Sequence, residues 1–105
     1  MDVSQRIKET VDSNRVMLFM KGNRDFPQCG FSGRAIQILQ ALGAEFETAD
    51  VLMDDEIRQG IKEFSNWPTV PQLYINGEFV GGSDIMMEMY ENGELKKVLS
   101  QTPAA

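Results

Sequence analysis

Apolar residues in the first half of the chain fall into runs that alternate between helical and strand-like spacing. Residues four apart between Val3 and Val11 predict an amphipathic N-terminal helix, with Asp2 or Ser4 as its cap. The unbroken apolar run from Val16 to Met20 is typical of a strand buried on both faces. Helical spacing returns from about Gly30 to Leu42, where the next residue is a glycine suited to end a helix.

The middle of the chain predicts a strand, a helix and a hairpin. Glu45 to Val51 alternate loosely and indicate a short second strand, and the three acids from Asp54 to Glu56 suit the start of a helix that reaches about Phe64. Asn76-Gly77 separates the apolar segments Gln72–Ile75 and Glu78–Val80. An Asn-Gly pair in this setting predicts a type I′ hairpin turn.

Two helices are expected after the hairpin. Ser83 is expected to cap a helix that ends near Glu91 and turns Ile85, Met86, Met89 and Tyr90 inward. A last short helix spans Glu94 to Ser100, and residues 101–105 are expected to form a loose tail.

The order α-β-α-β-α-β-β-α, followed by a short α, predicts one four-stranded mixed sheet flanked by helices. Strands joined through a helix should be parallel, whereas the hairpin strands should be antiparallel. We therefore expect an α/β, thioredoxin-like fold in one domain covering residues 1–105, with its core between about residues 3 and 99.

Composition narrows the classes of function. The formal net charge of −6 argues against nucleic acid as the main partner. A single cysteine excludes an internal disulfide and indicates a reducing compartment, which we take to be the cytoplasm. The chain has no histidine, no apparent signal peptide and no run long enough to cross a membrane, so we expect neither a membrane location nor a histidine-dependent mechanism.

The only cysteine, Cys29, lies where a polar loop meets the start of the second helix. Unpaired N–H groups and the positive end of the helix dipole favour a thiolate there, and the thiolate is the form that attacks disulfides and binds metal. A lone cysteine is also commonly a small buried hydrophobe, and both interpretations stay open on the pattern alone. Ser32 occupies the place of the second thiol in a Cys-x-x-Cys pair, so the loop cannot form its own disulfide.

Several polar and backbone groups are candidates to surround this thiol. Each also has a plain structural explanation: Lys21 as a surface lysine, Arg58 and Lys62 as a solvated helix face, and Ser83 with Asp84 as a turn and helix cap. In the functional interpretation the cations hold a carboxylate, and the helix start holds a second one or an ammonium.

A backbone segment completes this set of groups. In this architecture the loop before the third strand faces the cysteine. If the Val70-Pro71 bond is cis, the backbone of Val70 is available to pair with an extended peptide. Together these groups suit a small anionic peptide that contains cysteine, and glutathione has two carboxylates, an ammonium and a thiol.

The chain resembles the monothiol glutaredoxins, and the resemblance extends from about Val3 to Leu99. Its most specific part is the Cys-Gly-Phe-Ser active site combined with a Trp-Pro segment. The motifs that carry it are Met20-Lys21-Gly22, Cys29-Gly30-Phe31-Ser32, Trp67-Pro68-Thr69-Val70-Pro71-Gln72 and Gly81-Gly82-Ser83-Asp84. The size matches the short, single-domain members of the family.

The resemblance implies a thioredoxin fold, a cis proline at Pro71 and non-covalent binding of glutathione. Lys21 and Arg58 would hold its glycyl carboxylate, Val70 would pair with its backbone, and Ser83 and Asp84 would meet its γ-glutamyl end. Roles for Lys62 and Thr69 are less defined. Many members have a second cysteine at the position of Ser83, and its absence removes one route to an internal disulfide.

The resemblance also implies that two subunits share a [2Fe-2S] cluster. Such a cluster needs four thiolates, and Cys29 from each chain with one glutathione on each supplies them. Cluster storage and delivery to apo iron–sulfur proteins, with a BolA-like partner, is the implied role. The alternative is a glutathione-dependent oxidoreductase in which Cys29 attacks glutathionylated proteins, and a third possibility is a module that senses iron or redox state.

Overall fold

The computed structural model describes residues 2–101 as nine helices and strands and one short 3₁₀ turn. The helices are α1 (Val3–Ser13), α2 (Gly30–Ala41), α3 (Asp55–Ser65), α4 (Ser83–Glu91) and α5 (Glu94–Ser100). The strands are β1 (Val16–Met20), β2 (Glu47–Asp50), β3 (Gln72–Ile75) and β4 (Glu78–Gly81). The predicted tail lies outside the described residues, except for Gln101.

The four strands form one mixed sheet in the order β2-β1-β3-β4. β1 pairs with β2 in parallel, and β3 is antiparallel to both β1 and β4. The carboxyl ends of β1 and β2 therefore lie at the same end of the sheet as the start of β3. No helix within residues 2–101 is both long and apolar enough to cross a membrane.

Two apolar cores cover the two faces of the sheet, because all five residues of β1 are buried and alternate between them. Leu18 and its alternate neighbours pack with α2, α4 and α5, whereas Met17 and Phe19 pack with α1 and α3. The α/β, thioredoxin-like fold that the pattern predicts is thus confirmed.

Local chemistry explains most element boundaries. Asp2 caps α1 in a capping box with Gln5, and Asp54 caps α3 by accepting from two backbone N–H groups of its first turn. Asn76 and Gly77 both have positive φ, 53° and 83°, which is the geometry of the predicted type I′ turn.

The second strand is shorter than the predicted segment from Glu45 to Val51. It ends at Asp50, because the carboxylate of Asp50 accepts from the Leu52 N–H and starts the 3₁₀ turn Val51–Met53. Apolar alternation does not distinguish such a turn from an extended strand.

The start of α4 also differs from the prediction. Gly82, not Ser83, is the N-cap, and Ser83 is already the first helical residue. Tyr90, which was expected to face inward, is exposed, whereas Met86 is fully buried. Periodicity identifies the buried face, but coverage of the last turn of a helix depends on the neighbouring element.

Candidate functional site around Cys29

Cys29 occupies the N-cap position of α2 and is half-buried. Its carbonyl accepts the first helical hydrogen bond, from the Gly33 N–H at 2.9 Å. The sulfur makes no hydrogen bond that caps the helix. The first backbone N–H groups of α2 therefore act on the sulfur electrostatically. The thiol thus lies at the positive end of a helix and within reach of solvent.

The surroundings of Cys29 favour its thiolate. The backbone N–H of Ser32 is the main cause that lowers the pKa of Cys29 from its ordinary value. The Phe31 N–H, the Lys21 ammonium and the Ser32 hydroxyl also lower this pKa, while partial burial raises it without reversing the shift. A half-exposed thiol with a lowered pKa is a candidate nucleophile and metal ligand.

The loop between Lys21 and Cys29 is tightly closed. Gly22 pairs with Pro27 in an isolated bridge, and the Gln28 N–H donates to the Lys21 carbonyl at 2.9 Å. Gly22 has φ +85°, and a Cβ there would lie 2.4 Å from the Phe26 carbonyl oxygen. Only glycine fits this approach, so the position of Lys21 relative to Cys29 depends on it.

A cleft of about 470 Å³ opens beside the thiol. Its volume lies within the range usual for small-molecule sites. All of the predicted site residues line it: Cys29, Lys21, Arg58, Val70, Ser83 and Asp84, together with Lys62 and Thr69. The structure therefore brings these residues together, and their individual roles stay predictions.

The cleft is cationic although the chain is acidic. Lys21, Arg58 and Lys62 line it with one carboxylate, that of Asp84. Within residues 2–101 none of these three cations forms a salt bridge. Asp84 is paired only loosely, with Arg34 at 3.9 Å. The cleft is thus suited to a ligand that carries more than one negative charge.

The loop before β3 forms one wall of the cleft. Its Val70–Pro71 peptide bond is cis. Among the hydrogen bonds of the described residues, none uses the N–H or C=O of Val70, which leaves both groups available to a peptide ligand.

A buried glutamine, to which the sequence reasoning assigned no role, supports this loop. The side-chain amide of Gln72 donates to the Trp67 and Thr69 carbonyls at 3.3 and 3.0 Å, and its oxygen accepts from the Tyr74 hydroxyl. Burial raises the pKa of Tyr74 to about 12, so this phenol stays protonated and donates. The sequence signals for this role were a polar residue at the start of an apolar strand and its place in the motif that begins at Trp67.

The start of α4 forms another wall of the cleft, next to the loop before β3. The Ser83 hydroxyl is buried and has no hydrogen-bond partner within the described residues. Gly82 brings α4 close to the Pro71 carbonyl, since a Cβ there would lie 3.2 Å from that oxygen. An unsatisfied hydroxyl beside free helix N–H groups fits a polar ligand group at this point.

Further side chains, to which the sequence reasoning assigned no contact with a ligand, complete the walls. Phe31, Trp67, Pro68 and Ile85 line the cleft. Spacing alone did not place them at the cleft, because they come from three separate segments. Within residues 2–101 no group of three or more His, Cys, Asp or Glu side chains is arranged to hold a metal ion, and Cys29 supplies the single thiol of the chain.

Comparisons with known proteins agree with this geometry. The chain matches the family model described as glutaredoxin over residues 16–80. It is 63% identical over 98 residues to a monothiol glutaredoxin of Synechocystis sp., described as ycf64-like, with 93% of this chain and 92% of that one covered.

Two solved structures are similar as well. The solution structure of reduced apo GrxS14 from poplar is 53% identical, with a TM-score of 0.80 over 90% of this chain and 87% of that one. The crystal structure of a buckwheat glutaredoxin–glutathione complex is 28% identical, with a TM-score of 0.83 over 93% and 87%. The fold, the single cysteine at the start of α2 and these relatives lead to one conclusion: the chain belongs to the glutaredoxin family, among its monothiol members.

Proposed function

We propose that this glutaredoxin binds glutathione in the cleft beside Cys29. The unpaired cations of the cleft carry the proposal, because glutathione has two carboxylates. Lys21 and Arg58 hold its glycyl carboxylate, and the free backbone groups of Val70 pair with its peptide. The buckwheat relative was crystallised with glutathione, which supports the same ligand here.

The γ-glutamyl end of glutathione is placed at the start of α4. Its carboxylate meets the free N–H groups and the unpartnered Ser83 hydroxyl, and its ammonium meets the Asp84 carboxylate. In this pose the glutathione thiol lies toward Cys29, whose sulfur borders the same cleft.

The cargo that we propose for this site is a [2Fe-2S] cluster. One chain offers a single thiolate, while the cluster takes four. Cys29 from two copies of the chain and the thiols of two glutathiones complete the set. Because the glutathiones are held non-covalently, the cluster is exchangeable and suited to transfer to apo iron–sulfur proteins, with a BolA-like protein as a further partner.

Anaerobic reconstitution with ferrous iron, sulfide and reduced glutathione tests the proposal. We expect visible colour and a dimer on a sizing column, both dependent on glutathione. Cys29→Ala should abolish both while leaving the fold intact by circular dichroism. Colour and dimer in the Cys29→Ala variant, or in the absence of glutathione, would contradict the shared-ligand cluster.

The lowered pKa of Cys29 favours a second candidate, removal of glutathione from proteins. The Cys29 thiolate attacks the glutathione sulfur of a protein–glutathione disulfide, which releases the protein thiolate and leaves Cys29 disulfide-bonded to glutathione. A second glutathione thiolate then attacks that bond, which yields oxidised glutathione and restores Cys29. Turnover of a glutathionylated protein by the iron-free chain distinguishes this activity from cluster transfer.

A reducing compartment suits both functions, and we propose the cytoplasm. A chain with one cysteine gains no internal disulfide from an oxidising environment.

A cluster carrier and a cluster sensor would use the same site. Transfer of the cluster to an apo acceptor distinguishes the carrier from the sensor.

A further inference from the structure

Asp50, at the end of β2, makes two hydrogen bonds through the same carboxylate oxygen. Oδ1 accepts from the Leu52 N–H at 2.9 Å and from the Gly22 N–H at 2.9 Å. The first bond is local and explains the 3₁₀ turn after β2. The second crosses from β2 to the loop that follows β1, and turn formation does not require it.

The crossing bond reaches the base of the loop that carries the thiol. Gly22 follows Lys21, whose carbonyl accepts from the Gln28 N–H and whose N–H donates to the Ser32 hydroxyl at 3.1 Å. Gln28 and Ser32 lie on either side of Cys29. The backbone of Lys21 is therefore hydrogen-bonded to residues before and after Cys29. Asp50 connects the next residue, Gly22, to the end of β2.

The loop is closely packed at Gly22. The approach of Gly22 to the Phe26 carbonyl leaves no room for a Cβ. Lys21 lines the cleft, whereas Asp50 does not. Asp50 therefore makes no contact with a ligand in the cleft, and its hydrogen bonds reach that ligand through the groups that it holds.

We propose that Asp50 is a positioning residue that, through the Gly22 N–H, holds Lys21 where its ammonium binds a carboxylate of glutathione in the Cys29 cleft. This inference rests on the proposed glutathione site. It assigns a role to a side chain that lies outside the cleft. No motif in the sequence indicated this role.

Calorimetric titration of the full chain with reduced glutathione tests the role of Asp50. We expect Asp50→Ala to bind glutathione about tenfold more weakly, because the Gly22 N–H no longer holds Lys21 in the position that binds the carboxylate. Asp50→Asn retains an acceptor oxygen, and its affinity should stay within about twofold of wild type. Equal loss in both variants, or unchanged affinity in Asp50→Ala, would overturn the proposal.

Asp2→Ala is the matched control for lost stability. Asp2 also accepts from a backbone N–H, that of Gln5 at 2.8 Å, but it caps α1 and does not line the cleft. It should lower the unfolding free energy without changing glutathione affinity. If Asp2→Ala weakened binding as much as Asp50→Ala, general destabilisation would explain the effect and the proposal would fail.

A double-mutant cycle tests whether Asp50 acts through Lys21. In the Lys21→Ala background, Asp50→Ala should cause no further loss of affinity, because the positioned group is already absent. Fully additive losses would contradict the proposed route. Amide exchange of the Gly22 N–H is a readout without ligand: it should be protected in wild type and Asp50→Asn, and unprotected in Asp50→Ala.

If Asp50→Ala does not fold, Asp50→Ser takes its place. A serine at this cap still accepts from the Leu52 N–H two residues on, but its side chain extends less far toward Gly22. It should lose Gly22 protection and glutathione affinity together, and retention of both would overturn the proposal. A wild-type chain that binds no glutathione contradicts the proposed function, whereas equal binding by wild type and Asp50→Ala contradicts only the role of Asp50.

Discussion

The Ser32 hydroxyl oxygen lies 3.1 Å from the backbone nitrogen of Lys21 and accepts its hydrogen bond. Ser32 is fully buried, so the position that would hold a second thiol faces the protein interior rather than solvent. Its hydroxyl also lowers the pKa of Cys29. Ser32 thus links the end of β1, which carries a cleft cation, to the helix that carries the thiol.

Removing this hydroxyl should affect both neighbours. Ser32→Ala leaves the partly buried Lys21 N–H without an acceptor, and we expect it to lower the unfolding free energy by about 1 to 2 kcal/mol in urea titrations. The pKa of Cys29 should rise, because one of the groups that lower it is gone. Ser100→Ala removes a hydroxyl hydrogen bond on α5 and is the control. An unchanged pKa of Cys29 in Ser32→Ala would contradict the link.

The N–H groups at the start of α2 should make Cys29 reactive at a lower pH than an ordinary thiol. Because its pKa is lowered, alkylation by iodoacetamide should reach half its maximum rate at a lower pH in the native chain than in urea. The thiolate also contributes stability that is fully present above the ordinary thiol pKa of about 8.5 and is lost as the pH falls through the lowered value. Identical midpoints in the native and unfolded chain would contradict this account.

Lys21 should be the cation on which glutathione binding depends most clearly. Lys21→Ala should weaken glutathione binding by about 10- to 100-fold, the usual range for a hydrogen bond to a charged group. The loss should be smaller at high ionic strength, because salt screens the charge in wild type. Lys8→Ala removes a lysine that pairs with Asp12 on α1 and should leave the affinity unchanged. Equal affinity for wild type and Lys21→Ala would remove Lys21 from the site.

Alanine substitutions at Gly22 and Gly43 allow the cost of a steric clash to be measured separately from the cost of backbone strain. Gly22 and Gly43 both have positive φ, but a Cβ at Gly43 meets no atom within 4 Å, whereas one at Gly22 meets the Phe26 carbonyl. Gly43→Ala should therefore cost about 1 kcal/mol of unfolding free energy. Gly22→Ala should cost about 3 kcal/mol or more, because the clash adds to the strain. Similar losses in urea titrations of the two variants would show that the loop relaxes around the new methyl group.

Local patterns in the sequence determined the elements of this protein. The five apolar residues from Val16 to Met20 predicted a strand buried on both faces, and Asn76-Gly77 predicted the hairpin turn. Cys29 was placed at the start of a helix because a polar loop precedes it and helical spacing follows. These inferences succeed because periodicity and turn chemistry act between residues close in the chain.

Tertiary packing alone decided how the site is assembled. Lys21, Arg58 and Ser83 come from three separate segments of the chain, and only the mixed sheet brings them to one cleft. The hydrogen bonds that join Ser32 to Lys21 and Asp50 to Gly22 link residues 11 and 28 positions apart in the sequence. Gln72 contacts the adjacent loop, but its burial depends on the packing of the sheet. No local period carries that information, since side-chain polarity indicates that a group needs a partner but not which backbone group will supply it.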